Sequence, residues 1–341
     1  MRPIEALCSL LLLALGPTAH AAPLQVCATV PELGLLTREV GGDEVAVVVF
    51  AKGTEDPHFV EPRPSFVKDL SRADLLVVVG LDLESGYLPI LLQNARNARV
   101  LPGAPGYLDA SQAMLLLDQP TAPVDRSMGD VHPYGNPHYL LDPLNGLRVA
   151  RLIAGRLAEL RPERREYFQA RTTAFARRLG TALVGEPLAR KYDAEKLAAL
   201  AEYGKLDDFL HQQGDADALG GWLGAMRPYR GAKVVDDHNL WPYFARRFGI
   251  QVIGHMEPKP GITPTTKHLS ELIDRMRAEH VRGLLAAAYY DQRHARFLAA
   301  AAGVRIAAMA NQAGARPGTD DYLALTDYNV RQLAEALGGS A

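Results

Sequence analysis

Three histidines lie in short polar loops beside apolar segments. The local sequences are DPHF around His58, NPHY around His138 and DDHN around His238. The proline before His58 and His138 restricts the backbone, so both imidazoles would be presented with little freedom. Imidazole nitrogen and carboxylate oxygen are ligands that Zn²⁺ binds in a tetrahedron. Each loop alone also fits a surface histidine that only forms hydrogen bonds, and the spacing matches neither HExxH nor paired-cysteine zinc motifs.

The apolar segments near these histidines indicate an α/β fold with parallel strands. Many are rich in β-branched residues, Gly, Asp or Pro bounds them, and helix-like stretches separate most of them. Ligands of such sheets collect at the carboxyl ends of the strands, which is where the polar loops stand. The predicted strands are Leu24–Val30, Val45–Phe50, Leu75–Val79, Lys233–Val235, Ile250–Ile253, Gly283–Ala287 and Val304–Ala308.

The middle of the chain has helical periodicity instead. Apolar residues recur at helical spacing from Pro143 to about Leu183, and Pro162 divides this stretch into two runs. Its many arginines are typical of a solvated helix face. Short helices are predicted near 206–210 and 219–226, and residues 186–230 suggest no function.

Composition places limits on the class of protein. The chain has 341 residues, enough for about two domains, with 48% hydrophobic and 22% charged residues. The net charge of −2 gives a nucleic-acid partner no electrostatic support. Residues 1–22 are predicted to be a secretory signal peptide, with Arg2, an apolar run from Ala6 to Leu15, and cleavage after Ala21 or Ala22.

The two cysteines predict no disulfide in the mature protein. Cys8 lies inside the predicted signal and lacks the surroundings of a lipid-anchor site, so a free rather than tethered protein is expected. Cys27 would then be alone, in an apolar segment, where a buried and inert thiol is expected.

Long motifs carry a resemblance to a known family. They are DPHFVEPRPS at 56–65, NPHYLLDP at 136–143, DHNLWPYFARRFGI at 237–250, EPKPGITPTTKHLSELI at 257–273 and the YYDQR turn at 289–293. In sequence and order these resemble the metal-binding solute receptors of ABC importers that serve zinc and manganese uptake. The resemblance covers almost the whole mature chain.

The resemblance implies two Rossmann-like α/β lobes joined by a long rigid helix, with the metal site in the cleft between them. The corresponding boundaries are 1–22 for the signal peptide, 23–143 for the first lobe, 144–185 for the helical connector and 186–341 for the second lobe.

The resemblance also implies a ligand set. Carried over by position, His58 and His138 are the ligands from the first lobe, His238 is the third and Asp291 is the carboxylate of the second lobe. Three nitrogens and one oxygen suit Zn²⁺ better than Mn²⁺, which prefers oxygen. The alternative for Asp291 is a cap on the helix that begins near Gln292.

The remaining candidates are weaker. The stretch 118–135 corresponds to a metal-collecting loop of zinc receptors, although an ordinary surface loop fits as well. Its possible auxiliary ligands are Asp118, Asp125, Asp130 and His132. Five further histidines are expected to be structural or exposed, namely His211, His255, His268, His280 and His294.

These observations predict a periplasmic, monomeric protein that binds Zn²⁺ tightly and delivers it to an ABC importer permease, with a periplasmic zinc chaperone as a possible second partner. A zinc buffer or chaperone without an importer is the first alternative. The second is a zinc hydrolase with Asp291 or Glu257 as general base. Four side-chain ligands leave no position for a reactive water, so no catalytic activity is predicted.

Overall fold

The computed structural model describes residues 22–121, 132–257 and 262–338. The predicted signal peptide therefore lies outside the described residues, apart from Ala22. Within these three ranges, no helix has both the length and the apolar character required to cross a membrane.

In the described ranges, eight short strands form two four-stranded parallel sheets. The first sheet has the order β2-β1-β3-β4 and the second β6-β5-β7-β8, so the two sheets repeat one topology. The strands are β1 Leu24–Ala28, β2 Val45–Val49, β3 Leu75–Val78, β4 Tyr107–Asp109, β5 Lys233–Asp236, β6 Gln251–His255, β7 Gly283–Ala286 and β8 Arg305–Ala308.

All seven strands predicted from the sequence are present, with ends that differ by at most two residues. The eighth, β4, is a three-residue edge strand paired with β3. It was missed because a segment this short shows no periodicity.

Thirteen α-helices cover the described part of the chain around the two sheets. Several begin with proline in the first turn, where its missing N–H removes no hydrogen bond. The helices are α1 Pro31–Gly41, α2 Pro64–Arg72, α3 Leu88–Ala95, α4 Pro143–Leu160, α5 Arg165–Val184, α6 Glu186–Tyr192, α7 Ala194–Glu202, α8 Leu206–Gln213, α9 Gly221–Met226, α10 Pro242–Phe248, α11 Thr266–Ala278, α12 Gln292–Ala302 and α13 Tyr322–Gly338.

Each sheet has one face in a core shared by both lobes. Alternate strand residues, such as Val26 and Val77 in the first sheet and Val234 and Leu285 in the second, belong to this common core together with α4 and α5. The opposite faces pack into separate cores beneath the outer helices. Cys27 lies in one of these, 2% exposed, and burial raises the pKa of its thiol to about 12.

The stretch predicted as the helical connector, 144–185, contains α4 and α5, divided by a short 3₁₀ turn at Pro162–Arg164. The long helix α5 packs against α1 on the first-lobe side and against α7 and α9 on the other. Asp142 caps the start of α4, and both its oxygens accept hydrogen bonds at 2.9 Å from the guanidinium of Arg247 in α10. The first and second lobes are therefore joined by buried polar contacts as well as by the shared core.

Candidate metal centre between the lobes

His58 lies in the loop between β2 and α2, where Asp56 fixes both its backbone and its ring. Oδ1 of Asp56 accepts the backbone N–H of His58 at 3.0 Å and lies 2.6 Å from its Nδ1. An ionised carboxylate can only accept, so Nδ1 carries a proton, and Nε2 is the ring nitrogen on the side of the other imidazoles. Burial opposes ionisation of Asp56, but the hydrogen bonds and charge of His58 outweigh it and hold the pKa of Asp56 below its ordinary value.

His138 opens a short 3₁₀ helix immediately before α4. Its backbone N–H donates to Oδ1 of Asn136 at 2.9 Å, which fixes the turn across Pro137. Its Nε2 atom is buried and has no hydrogen-bond partner in the described ranges. Because an unpartnered buried nitrogen costs free energy and this one stands among other imidazoles, Nε2 of His138 is a strong candidate for a metal ligand.

His238 follows β5 and is 4% exposed. Its Nδ1 lies 3.3 Å from Oε2 of Glu257, so a carboxylate orients this ring as Asp56 orients His58. Asp237 ties the same loop to the end of β7, since its Oδ2 accepts the N–H of Ala287 at 2.6 Å. The loop after β5 is therefore attached to the carboxyl end of the neighbouring strand β7.

A fourth imidazole, His132, belongs to the same group. Its Nε2 is 3.0 Å from Nε2 of His58, and it forms a hydrogen bond with the backbone of Leu81 in the first lobe. His132 therefore lies inside the site, whereas the sequence placed it only in a possible auxiliary loop.

The four rings face one another closely. Five of their pairs have ring centroids 5.1 to 6.2 Å apart, linking His58, His132, His138 and His238. One ligand atom from each of His58, His132 and His138 lies within 4.8 Å of the other two. Two nitrogens bound to one tetrahedral zinc stand about 3.3 Å apart. These three imidazoles are therefore near the spacing of ligands around one ion, and His238 approaches them through ring contacts with His58 and His138.

The electrostatics keep two of these imidazoles neutral. Burial, followed by the charges of His58 and His238, lowers the pKa of His132 to about 3. Burial and the neighbouring imidazoles also place the pKa of His138 well below its ordinary value. Both rings are therefore unprotonated at neutral pH, the form that binds metal ions.

Asp291 has a different environment from the histidines. It caps α12 by accepting the N–H of Arg293 at 2.9 Å, and its Oδ2 also binds the guanidinium of Arg293, with Nε at 2.7 Å. Its side chain is 44% exposed, and these hydrogen bonds lower its pKa to about 2. The structure therefore shows Asp291 in the capping arrangement that the sequence left open as the alternative.

Asp291 nevertheless borders the site. It lines a cleft of about 230 Å³ together with Asp237, Glu257 and Tyr290, and the ring of Tyr290 lies 6.2 Å from that of His238. The carboxylate of Asp291 would have to break its hydrogen bonds with Arg293 before it could reach a metal bound by the imidazoles.

Among the other predicted loop ligands, only Asp118 lies in the described ranges, and it is not in the metal-ligating group. Asp125 and Asp130 lie outside the described residues. Asp118 accepts hydrogen bonds from Asn136 and Asn239 at the base of the loop.

Of the remaining histidines, three have partners away from the cluster. Nδ1 of His255 lies 2.5 Å from Oδ1 of the buried Asp236. The backbone oxygen of His255 lies 3.0 Å from Nε2 of His268. Nδ1 of His211 pairs with the carbonyl of Asp207.

The two orienting carboxylates were not predicted as such. Asp56 stands two residues before His58 with a proline between, a spacing at which an aspartate can cap its own turn. Glu257 gave no comparable signal, because only the pairing of β5 with β6 brings it to His238.

Comparison with known proteins identifies the family of the chain. The family model described as the periplasmic component A of the zinc-uptake complex matches residues 26–183 and 213–336. A manganese ABC transporter substrate-binding lipoprotein of Streptococcus pneumoniae, PsaA, is 21% identical over 319 residues, covering 92% of this chain and 89% of its own. The iron-named lipoprotein MtsA of Streptococcus pyogenes is 22% identical over 326 residues, covering 94% of this chain and 91% of its own.

Solved structures share the fold. The crystal structure of a zinc-bound ZnuA deletion mutant superposes with a TM-score of 0.68 at 22% identity, covering 94% of this chain and all of that one. The manganese complex of FpvC from Pseudomonas aeruginosa gives 0.66 at 19% identity, covering 93% and 99%. The names of these four proteins mention manganese, iron or zinc, and the two relatives are both substrate-binding lipoproteins of ABC transporters. The chain therefore belongs to the family of zinc-uptake complex component A, whose members are metal-binding substrate receptors of ABC transporters and not enzymes.

Proposed function

We propose that this protein is a zinc receptor that binds a single Zn²⁺ between its lobes through His58, His138 and His238 and passes it to an ABC importer permease. The observation that supports this most is the buried Nε2 of His138, which has no hydrogen-bond partner in the described ranges and stands among imidazoles. A bound cation would satisfy it.

The ligand chemistry favours zinc over manganese. The site offers four imidazole rings, two of them oriented by the carboxylates of Asp56 and Glu257. Mn²⁺ prefers oxygen ligands, whereas nitrogen-rich tetrahedral sites suit Zn²⁺. Other late transition metals would bind in vitro, because affinity at such sites rises toward copper.

The fourth position has two candidates. His132 is favoured, since its Nε2 already lies 3.0 Å from that of His58. Asp291, the carboxylate implied by the family resemblance, is the alternative and would require its contacts with Arg293 to break. With all four positions filled by side chains, the metal would carry no reactive water.

The proposed location is the periplasm, after removal of residues 1–22 and without a lipid anchor. Substrate-binding proteins of ABC transporters work with a membrane permease and an ATPase, which are the proposed partners. A zinc chaperone that loads the receptor is a further proposed partner. A buffer that never meets an importer is the competing proposal.

The function can be tested with purified mature protein. Metal analysis after purification without chelators should find about one zinc per chain, and calorimetric titration should show tighter binding of Zn²⁺ than of Mn²⁺. Tighter manganese binding would overturn the choice of metal. Stimulation of a reconstituted permease's ATPase by loaded protein would separate a receptor from a buffer.

A further inference from the structure

One tyrosine from the second lobe binds both ends of the loop 118–135. The hydroxyl of Tyr243 in α10 accepts the backbone N–H of Leu117 at 3.0 Å and donates to the carbonyl of Asn136 at 3.0 Å. The backbone N–H of Asn136 donates in turn to the carbonyl of Leu117 at 2.9 Å. The loop is therefore closed at its base by a backbone contact and a single buried hydroxyl.

Three polar side chains extend this base. Nδ2 of Asn239 donates to Oδ2 of Asp118 at 2.9 Å, and Nδ2 of Asn136 donates to the carbonyl of Asn239 at 2.8 Å. Asp118 has a φ of 54°, a left-handed conformation that Asp tolerates better than most residues. We call Asp118, Asn136, Asn239 and Tyr243 the loop clasp.

The loop clasp is attached to two ligands of different lobes. Asn136 caps the backbone of His138 through its Oδ1, and Asn239 is the residue after His238. His132 lies on the loop that the clasp closes. The contacts that bind the loop also connect the backbone at His138 of the first lobe with the backbone next to His238 of the second lobe.

Resting on the zinc function proposed above, we propose that Tyr243 is a positioning residue for the metal centre, which holds His132 in reach of the ion by anchoring both ends of its loop. Closing a loop costs conformational entropy, and a clasp formed before the metal arrives removes that cost from binding. The affinity for zinc would therefore depend on the Tyr243 hydroxyl, because this group holds Leu117 and Asn136 together.

The test is a Tyr243→Phe substitution, which removes only the hydroxyl. Trypsin cleavage at Arg126, the one trypsin site in 118–135, should be severalfold faster in the metal-free variant than in the wild type. Zinc affinity, measured by competition with a chelating dye, should fall about tenfold, as expected for two lost hydrogen bonds. Tyr322→Phe is the matched control, because its buried hydroxyl bonds the carbonyl of Leu140 and contacts neither end of the loop.

A positioning role is separated from a merely structural one by repeating the comparison in a His132→Ala background. Tyr243→Phe should then change zinc affinity by less than about twofold, because the residue it positions is gone. The same loss in both backgrounds, or wild-type cleavage and affinity in Tyr243→Phe, would overturn the proposal. His58→Ala tests the zinc function separately: wild-type affinity in that variant would remove the metal site but leave the cleavage result as a test of the clasp.

Discussion

Two polar turns follow neighbouring strands of the second sheet, and they have opposite environments. The turn after β5 carries His238, which is 4% exposed and paired with Glu257. The turn after β7 carries Asp291, which is 44% exposed and paired with Arg293 on its own helix. Strand topology brings both side chains to the carboxyl-end edge of the sheet. Whether each one faces the metal centre depends on its hydrogen-bond partner, which is Glu257 for His238 and Arg293 for Asp291.

The largest expected change in zinc affinity is for a substitution in the turn after β5, and the matching substitution in the turn after β7 should have little effect. His238→Ala should weaken zinc binding about 100- to 1,000-fold, because it removes one of about four metal bonds. Asp291→Asn should change the affinity by less than about threefold, since its carboxylate is engaged by Arg293. Both are measured by competition titration at neutral pH. A loss in Asp291→Asn as large as that in His238→Ala would show that Asp291 is the fourth ligand.

The partner of His238 can be tested by itself. Glu257→Gln keeps the size of the side chain but removes the charge that orients the Nδ1 proton of His238. Loss of such an orienting group typically costs 10- to 100-fold in metal affinity. Asp56→Asn is the parallel change at His58 and should have an effect of similar size. Unchanged zinc affinity in Glu257→Gln would mean that packing alone sets the orientation of His238.

A third prediction concerns the stability of the metal-free protein. The pKa values of His132 and His138 are lower in the folded protein than in the unfolded chain, where they are about 6.5. The unfolded chain therefore binds more protons, and stability should fall as the pH decreases from 7.5 to 5. The melting temperature should decrease by several degrees over this range, and His132→Ala should reduce the slope. A slope unchanged in His132→Ala would contradict the low pKa of this ring.

The smallest expected effect on zinc affinity is that of removing Arg293, the partner of Asp291. Arg293→Ala releases the carboxylate of Asp291 from its ion pair while leaving the helix cap on the backbone. If the imidazoles provide the site, zinc affinity should stay within about twofold of the wild type, since exposed ion pairs contribute little. A clear gain in affinity would reveal that Arg293 competes with the metal for Asp291.

Most of the fold could be predicted from the sequence. The seven strands with continuous apolar runs were identified, whereas β4 is too short to show a pattern and α6 and α7 lie in a region read only as short helices with glycine-rich joins. The two-lobe architecture came from family resemblance. The shared core that spans both lobes could not be predicted, because local periodicity shows only that a face is apolar and not which other element it meets.

Part of the candidate site could also be predicted from the sequence. His58, His138 and His238 were predicted because each stands in a motif of the family. The structure places their ring centroids 5.5 to 6.2 Å apart, but the group whose ligand atoms lie within 4.8 Å of one another contains His132 and not His238. His132 was assigned to a loop of uncertain role, since no local pattern shows that the loop folds back onto His58. Glu257 and Tyr243 act through contacts with residues far apart in the chain, and such contacts leave no sequence signal.

The central claim is that one zinc ion is bound by the imidazoles between the lobes. X-ray absorption at the zinc edge, paired with an anomalous difference map of the loaded protein, tests it directly. We expect a single ion at about 2.0 to 2.1 Å from nitrogens of His58, His138 and His238, with His132 or Asp291 completing a tetrahedron. An ion bound elsewhere, or a first shell dominated by oxygen, would contradict the account.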